Sequence, residues 1–397
     1  MFSNRSSCHC VCLLLLLLIF SNSFSHGSGI NEEEQRKVNE ILGQVGELMR
    51  VQHNITTPAV HMDAQQQQSI ATLPENDMRL TLEQAMALLD GVKQDMGLTT
   101  KKPKRVDKNS RKWDFPIKYV FDGTHSSAEK DTIRRGLRLW EQTTCVRFRE
   151  YSSESQITGN GIKFNKGNGC WSYVGSVGST PQIISLGNGC VQEGIAAHEV
   201  GHALGLFHEH MRPDRDRYIK VNLANAYSGT EAAFAKNSAD DTYGAPYDYS
   251  SVMHYDSLGF SIDYWGKKRV IEPLDPYFLT SYGQRLVVTF LDAKRINLHY
   301  NCLAQSCSGR GLARACANGG YQDPNDCAKC TCPTGFGGDF CQEPTPSAGS
   351  PSCGGTISVS ACGTEMINSP GYPSKYQAGA ECSWHVTAVS FLFSCFY

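Results

Sequence analysis

The stretch His198-Glu199-Val200-Gly201-His202-Ala203-Leu204-Gly205-Leu206-Phe207-His208-Glu209 constrains the fold more than any other part of the chain. On an α-helix, residues four apart stand about 40° around the axis and about 6 Å along it, so His198 and His202 can bring both Nε2 atoms to one ion. Glu199 points beside them. A continued helix would carry His208 about 120° away from His202, so the chain must leave the helix, and Gly205 is the residue able to do so with a positive φ. Three neutral imidazoles with a carboxylate to spare make a catalytic zinc site. A surface helix with two histidines is the rival for His198-Glu199-x-x-His202 alone; Gly205 and His208 argue against it.

The chain has 397 residues, 40% hydrophobic and 19% charged, with a net charge of -2 and 17 cysteines. That length suggests two or three folding units, and nothing points to nucleic acid. So many cysteines outside the metal motif fit disulfides in a secreted chain. Arg5 ahead of the apolar run Val11 to Phe20, then small and polar residues, predicts a signal peptide over 1–26, too short to span a bilayer. Its removal takes Cys8, Cys10 and Cys12 and leaves an even number. No later segment reads as a membrane span.

Residues 27–105 read as a separate unit, the expected propeptide. Val38, Ile41, Leu42, Val45, Leu48 and Met49 form a helical stripe after the cap candidate Asn31; Gln65 to Gln68 lie in a polar linker; Thr81 with Gln84 predicts a capping box for a helix that turns Leu88, Leu89 and Val92 inward. Asn54-Ile55-Thr56 is a glycosylation acceptor. The basic run Lys101 to Arg105, with Lys108, Arg111 and Lys112, is either a solvated linker or a site for an activating protease.

From Trp113 the texture is that of a globular α+β domain, expected over 106–302. Strands are predicted at Ile117 to Phe121, Cys145 to Phe148, Ile162 to Phe164, within Gly169 to Gly175, and at Ile183 to Leu186. Ser126 and Glu129 cap a helix that carries Ile133, Leu137 and Trp140 on one face; further helices are expected around Glu231 to Lys236 and from Thr289 or Asp292 to Tyr300. In 303–342 the density of Cys, Gly and Pro predicts a small module held by disulfides, with zinc at Cys327-x-x-Cys330 as the rival. A Pro/Ser/Gly linker follows over 343–352, then a segment, 353–397, that begins Cys353-Gly354-Gly355.

The catalytic half resembles the astacin family of zinc metalloendopeptidases, within the metzincins. The likeness rests on the long histidine motif, on Arg212-Pro213-Asp214-Arg215-Asp216, on Pro246-Tyr247-Asp248-Tyr249 and on Ser251-Val252-Met253-His254-Tyr255. It implies a metzincin-type catalytic domain with a twisted sheet and an active-site helix, Met253 packed beneath the metal, and Tyr255 as an extra zinc ligand. It also implies pairing of Cys145 with Cys302 and of Cys170 with Cys190. Residues 303–342 resemble an EGF-like module, for which Cys307 would pair with Cys327, Cys316 with Cys330 and Cys332 with Cys341. Residues 353–397 are similar to the opening of a CUB domain up to about Ala388, a partial copy expected not to close its two sheets. His254 carries no evident chemistry.

The resemblance implies a secreted zymogen with one Zn2+ per catalytic domain, acting on extracellular proteins or peptides. Glu199 would serve as general base and acid, with Tyr255 swinging to the oxyanion. Substrate would lie along an edge strand near Trp171 to Gly175. Asp77, in Pro74-Glu75-Asn76-Asp77, aligns with the family's inhibitory aspartate, and Glu209 with the glutamate that meets the new N-terminus, Val106 if the cut follows Arg105. Arg285, in Gly283-Gln284-Arg285, is the candidate for a subsite that takes an acidic residue after the scissile bond. The competing readings are a catalytically inactive adhesion or binding protein and a different zinc hydrolase such as an exopeptidase.

Overall fold

The computed structural model describes residues 32–55, 77–100, 112–178, 181–263, 265–348, 353–360, 365–375 and 378–388. The expected signal segment, Asn31, Thr56, Gln65 to Gln68, Pro74 to Asn76, the basic run 101–105 with Val106, Lys108 and Arg111, and Phe391 to Tyr397 lie outside them.

Among its described residues the N-terminal unit has two helices and a short strand: α1 (Glu32–Gln52), β1 (Met78–Arg79) and α2 (Leu82–Asp95). Three acidic residues, Glu32 to Glu34, sit at the positive end of the α1 dipole. The predicted capping box opens α2, the Gln84 N–H donating to Thr81 and the Thr81 N–H to Gln84. Val45, Met49, Leu88, Leu89 and Val92 are buried in one apolar cluster with Met211, Phe234, Tyr247, Tyr255 and Ile271, so this unit shares a core with the half of the chain that follows His208. Arg50 to Glu231 at 2.8 Å and Lys236 to Asp95 at 3.1 Å pin its rim.

The catalytic half starts with β2 (Ile117–Phe121), α3 (Ser127–Thr143), β3 (Phe148–Glu150), β4 (Ile162–Asn165), β5 (Cys170–Tyr173), β6 (Gln182–Leu186) and α4 (Glu193–Ala203). The sheet order is β1-β5-β6-β4-β2-β3, parallel throughout except for β5 against β6. Ile117, Tyr119, Ile162, Phe164, Ile184 and Leu186 pack with Ile133, Leu137 and Trp140 of α3 and Ile195 and Val200 of α4. Each such aliphatic side chain is worth about 1.5–3 kcal/mol on burial. The Trp140 indole donates to Ala197 O at 2.8 Å, fixing α3 against α4.

Two expected elements are corrected. The strand predicted at Cys145 to Phe148 begins only at Phe148, which pairs with Ile117; ahead of it Thr144 caps α3 and Cys145 is bonded to Cys302. The helix predicted at Glu231 to Lys236 is a single 3-10 turn, Glu231–Phe234, because the Glu231 carboxylate turns back to accept from Gly229 N and from Arg50.

A small ribbon, β7 (Ile219–Val221) with β8 (Ile271–Pro273), precedes α5 (Phe290–His299) and α6 (Cys302–Ser306). Disulfides join Cys145 to Cys302, Cys170 to Cys190, Cys307 to Cys327, Cys316 to Cys330, Cys332 to Cys341 and Cys353 to Cys382. Cys327 and Cys330 belong to different bridges, which rules out a shared zinc there. The segment with the three central bridges holds two short ribbons, β9 (Tyr321–Gln322) with β10 (Cys330–Thr331) and β11 (Phe336–Gly337) with β12 (Glu343–Pro344). It docks through Asn325 on Glu141 O and Gln142 O and through Tyr321 on Asn297. Beyond it β13 (Gly355–Val359) and β14 (Trp384–Ala388) pair in parallel. No described helix is long and apolar enough to cross a membrane.

Candidate metal centre

Helix α4 ends at Ala203 and Gly205 takes φ +109°, the turn that sends His208 back toward His198 and His202. His202 Nε2 lies 3.2 Å from both His198 Nε2 and His208 Nε2. Nitrogens held about 2.0–2.1 Å from a tetrahedral zinc stand about 3.3 Å apart, so the spacing fits that ion. The tautomers fit as well. His198 Nδ1 donates to Val252 O at 2.7 Å and His202 Nδ1 to Leu206 O at 2.8 Å; a carbonyl can only accept, so each Nε2 keeps its lone pair for the metal. Burial pushes His208 down to about 4 and His198 well below its ordinary value, which leaves both imidazoles neutral at pH 7.

Asp77 completes the set. Its carboxylate is fully buried, with Oδ2 2.8 Å from His198 Nε2 and Oδ1 3.0 Å from His208 Nε2 and 3.5 Å from His202 Nε2. Asp77, His198, His202 and His208 are the group of ligating side chains, among the described residues, that can hold one metal ion. Strand β1 places the aspartate: Ser172 N donates to Asp77 O at 2.8 Å and Val174 N to Arg79 O at 3.3 Å. From α2 the Gln84 amide donates to Val174 O at 3.0 Å.

Glu199 is fully buried on the same helix, and neither carboxylate oxygen has a hydrogen-bond partner. Burial, then the Asp77 charge, pushes it well above the usual carboxylate range, while Arg285 and Arg79 pull the other way.

Met253 is fully buried against α4, where a Cβ at Gly201 would meet its Sδ at 2.6 Å. Asp292 holds the turn, accepting from Ser251 Oγ at 2.5 Å and Val252 N at 2.9 Å while it also caps α5. Tyr255 is buried with its ring 4.3 Å from that of His208. His254 Nδ1 donates to Tyr255 O at 2.7 Å, and the Tyr247 hydroxyl donates to His254 Nε2 at 2.7 Å. Glu209 accepts from Arg212 at 3.1 Å, Arg295 at 2.8 Å and Asp248 N at 2.9 Å, a buried network that also fixes the Arg212-Pro213-Asp214 turn. Arg285 donates to His254 O at 2.9 Å. Asp292 and His254 are the contributors missed from sequence; Thr289 and Asp292 were expected only as alternative helix starts, and the two together cap α5.

The family model for astacin, a peptidase family, matches residues 105–301. Zinc metalloproteinase dpy-31 of Caenorhabditis elegans is 38% identical over 325 residues, 79% of this chain and 52% of that protein. Blastula protease 10 of Paracentrotus lividus is 35% identical over 318 residues, 79% of this chain and 51% of that one. The chain thus spans about half the length of the curated relatives it matches. Among solved structures, High choriolytic enzyme 1, a hatching enzyme zinc-protease from Oryzias latipes, shares 33% identity over 50% of this chain and 98% of its own, with a TM-score of 0.45. With the histidine motif, the turn around Met253 and the family match falling on the same residues, the chain belongs to the astacin family through its domain at 105–301.

Proposed function

We propose that the chain is the precursor of a secreted, zinc-dependent endopeptidase that hydrolyses internal peptide bonds of extracellular proteins. The observation that carries the reading is the convergence of three imidazole Nε2 atoms beside the unpartnered Glu199 carboxylate. His198, His202 and His208 would hold a zinc ion, whose Lewis acidity would bring the pKa of a water toward neutrality. Glu199 takes the proton of the attacking water and hands it to the leaving amine, a shuttle worth about 10²–10⁴ in rate. Tyr255, beside His208, is the donor for the developing oxyanion and an additional ligand in the resting site.

Residues 27–105 keep the site closed. Asp77 fills a ligand position, and β1 takes the edge of β5 on which a substrate strand would pair. Activation then needs an activating protease to cut ahead of the catalytic domain, with the 101–105 run as the target and Glu209 as the acceptor of the new amine. Arg285 is read as the partner of an acidic substrate residue after the cleaved bond, a reading supported by the reach of its charge to Glu199 and His198. The six disulfides support an extracellular setting, and Asn54, exposed after α1, is the glycosylation candidate. The module with three bridges is read as EGF-like and the segment from Cys353 as CUB-like.

The test takes the cut chain, measures bound zinc, and follows cleavage of a long unstructured protein with and without chelator. One zinc per chain, internal cleavage, loss on chelation and recovery on adding zinc support the reading. Glu199→Gln should keep the zinc and lose at least about 10² in turnover. Release of terminal residues only, or a fully active Glu199→Gln, overturns it.

A further inference from the structure

We propose that the outer face of β5, formed by Trp171 and Tyr173, is a substrate subsite for a cationic side chain, occupied in the uncut chain by Arg79. The inference rests on the endopeptidase reading and names a specificity element of that site.

Register decides which side chains meet. β1 pairs with β5 so that Met78 stands opposite Ser172 and Arg79 opposite Tyr173. Side chains alternate along a strand, so Trp171 and Tyr173 share one face and Ser172, fully buried, takes the other. Arg79 therefore lies on the aromatic face. Its guanidinium carbon is 5.2 Å from the centre of the Trp171 ring, inside the distance at which a ring quadrupole attracts a cation. The Trp171 and Tyr173 rings stand 6.0 Å apart at 89°, a corner rather than a flat patch, so a flat guanidinium or an extended lysine stem can lie on one ring with the other as a wall. When β1 leaves, Asp77 goes with it, and Glu199 and the two rings stay.

A substrate on the same edge uses the same backbone donors, Ser172 N and Val174 N, that now hold Asp77 O and Arg79 O. It must therefore alternate its side chains as β1 does. The residue that falls on Trp171 is two positions from the one at the metal. If the substrate runs antiparallel to β5, that residue lies on the acyl side of the cleaved bond; if parallel, on the amine side. Either direction gives the aromatic corner a side chain to read.

The experiment profiles a peptide library with the cut chain as wild type, Trp171→Ala and Trp171→Phe. The wild type should enrich Arg and Lys over Met at one position two or three residues from the cut, by about 3- to 30-fold in kcat/KM, the cation–ring range. Trp171→Ala should abolish that enrichment, read within each variant as the ratio of kcat/KM for the Arg peptide to that for the Met peptide, and Trp171→Phe should keep part of it. A second measurement needs only wild-type enzyme: a synthetic peptide of residues 77–82 should inhibit about 3- to 30-fold more strongly than its Arg79→Met form. An active wild type without basic enrichment, an enrichment that survives Trp171→Ala, or equal inhibition by the two peptides overturns the subsite and leaves the peptidase reading standing. A zinc-loaded wild type that cleaves nothing overturns both.

Discussion

Gly136 is where α3 comes closest to α4, and replacing it with alanine tests whether that contact sets the position of the metal helix. A Cβ there would lie 2.7 Å from Glu193 O, 2.8 Å from Ala196 Cβ and 3.1 Å from Ala197 N. Two of these are backbone atoms of the first turns of α4, so no side-chain rotation relieves them; one helix must shift. Alanine favours the helix over glycine by about 0.8–1 kcal/mol, whereas overpacking a tight core costs about 1–3 kcal/mol. The expected net is a loss of up to about 2 kcal/mol, and at about 2–4 °C per kcal/mol for a domain of this size the midpoint falls by up to about 8 °C. Gly43→Ala, exposed in α1 with nothing within 4 Å of the added carbon, isolates the propensity effect and should raise the midpoint. Thermal unfolding of the zinc-loaded chain at a fixed scan rate, with both variants side by side, reads the sign. Gly136→Ala at or above the parent midpoint would refute the argument that backbone contact between α3 and α4 dominates.

Asp77→Ala in the uncut chain removes the carboxylate that stands against the three Nε2 atoms and should raise residual peptidase activity about 10- to 100-fold; a precursor that stays fully silent removes Asp77 from the inhibition. Tyr255→Phe should keep most zinc and lose about 10²–10³ in kcat, the cost of one oxyanion donor, and an unchanged kcat sinks the role. Arg285→Ala should erase a preference for Asp or Glu after the cleaved bond in a peptide-library profile, and identical profiles for variant and parent count against it. Lys166, then the Ser126 N–H and hydroxyl, holds Glu129 down to about 2 from its ordinary 4.5. Its contribution to stability is therefore present in full above about 4.5 and lost as pH falls through about 2, so Glu129→Gln should flatten the midpoint-against-pH curve in that window.

Local signals with reciprocal partners were legible in the sequence. The Thr81–Gln84 and Ser126–Glu129 boxes each start a helix, because two side chains at fixed spacing satisfy two backbone donors whatever the rest of the chain does. The turn at Gly205 was legible because His208 has no other route back to the site. Phe148 shows the limit: where β3 begins depends on its register with Ile117, a pairing made by a distant strand, while β propensity alone extends back to Cys145. Strand β1 is invisible for a similar reason. Two residues carry no periodicity, and only the donors of Ser172 and Val174 make Met78 and Arg79 a strand. The buried carboxylate of Asp292 and the ring of His254 act through partners far away in the chain, which no spacing rule reports.

Strand β5 is hydrogen-bonded on both sides only while Met78 and Arg79 remain in place. An edge with unpaired N–H and C=O groups is a template for strands of other molecules, and proteins blunt such edges to stay dispersed. On the precursor reading proposed above, the uncut chain carries its own cover over that edge. If β1 departs on activation, the donors proposed to receive a peptide are open to another copy of the enzyme. Aggregation at high concentration is thus a liability of the cut form, and a buffer peptide that pairs with β5 should suppress it.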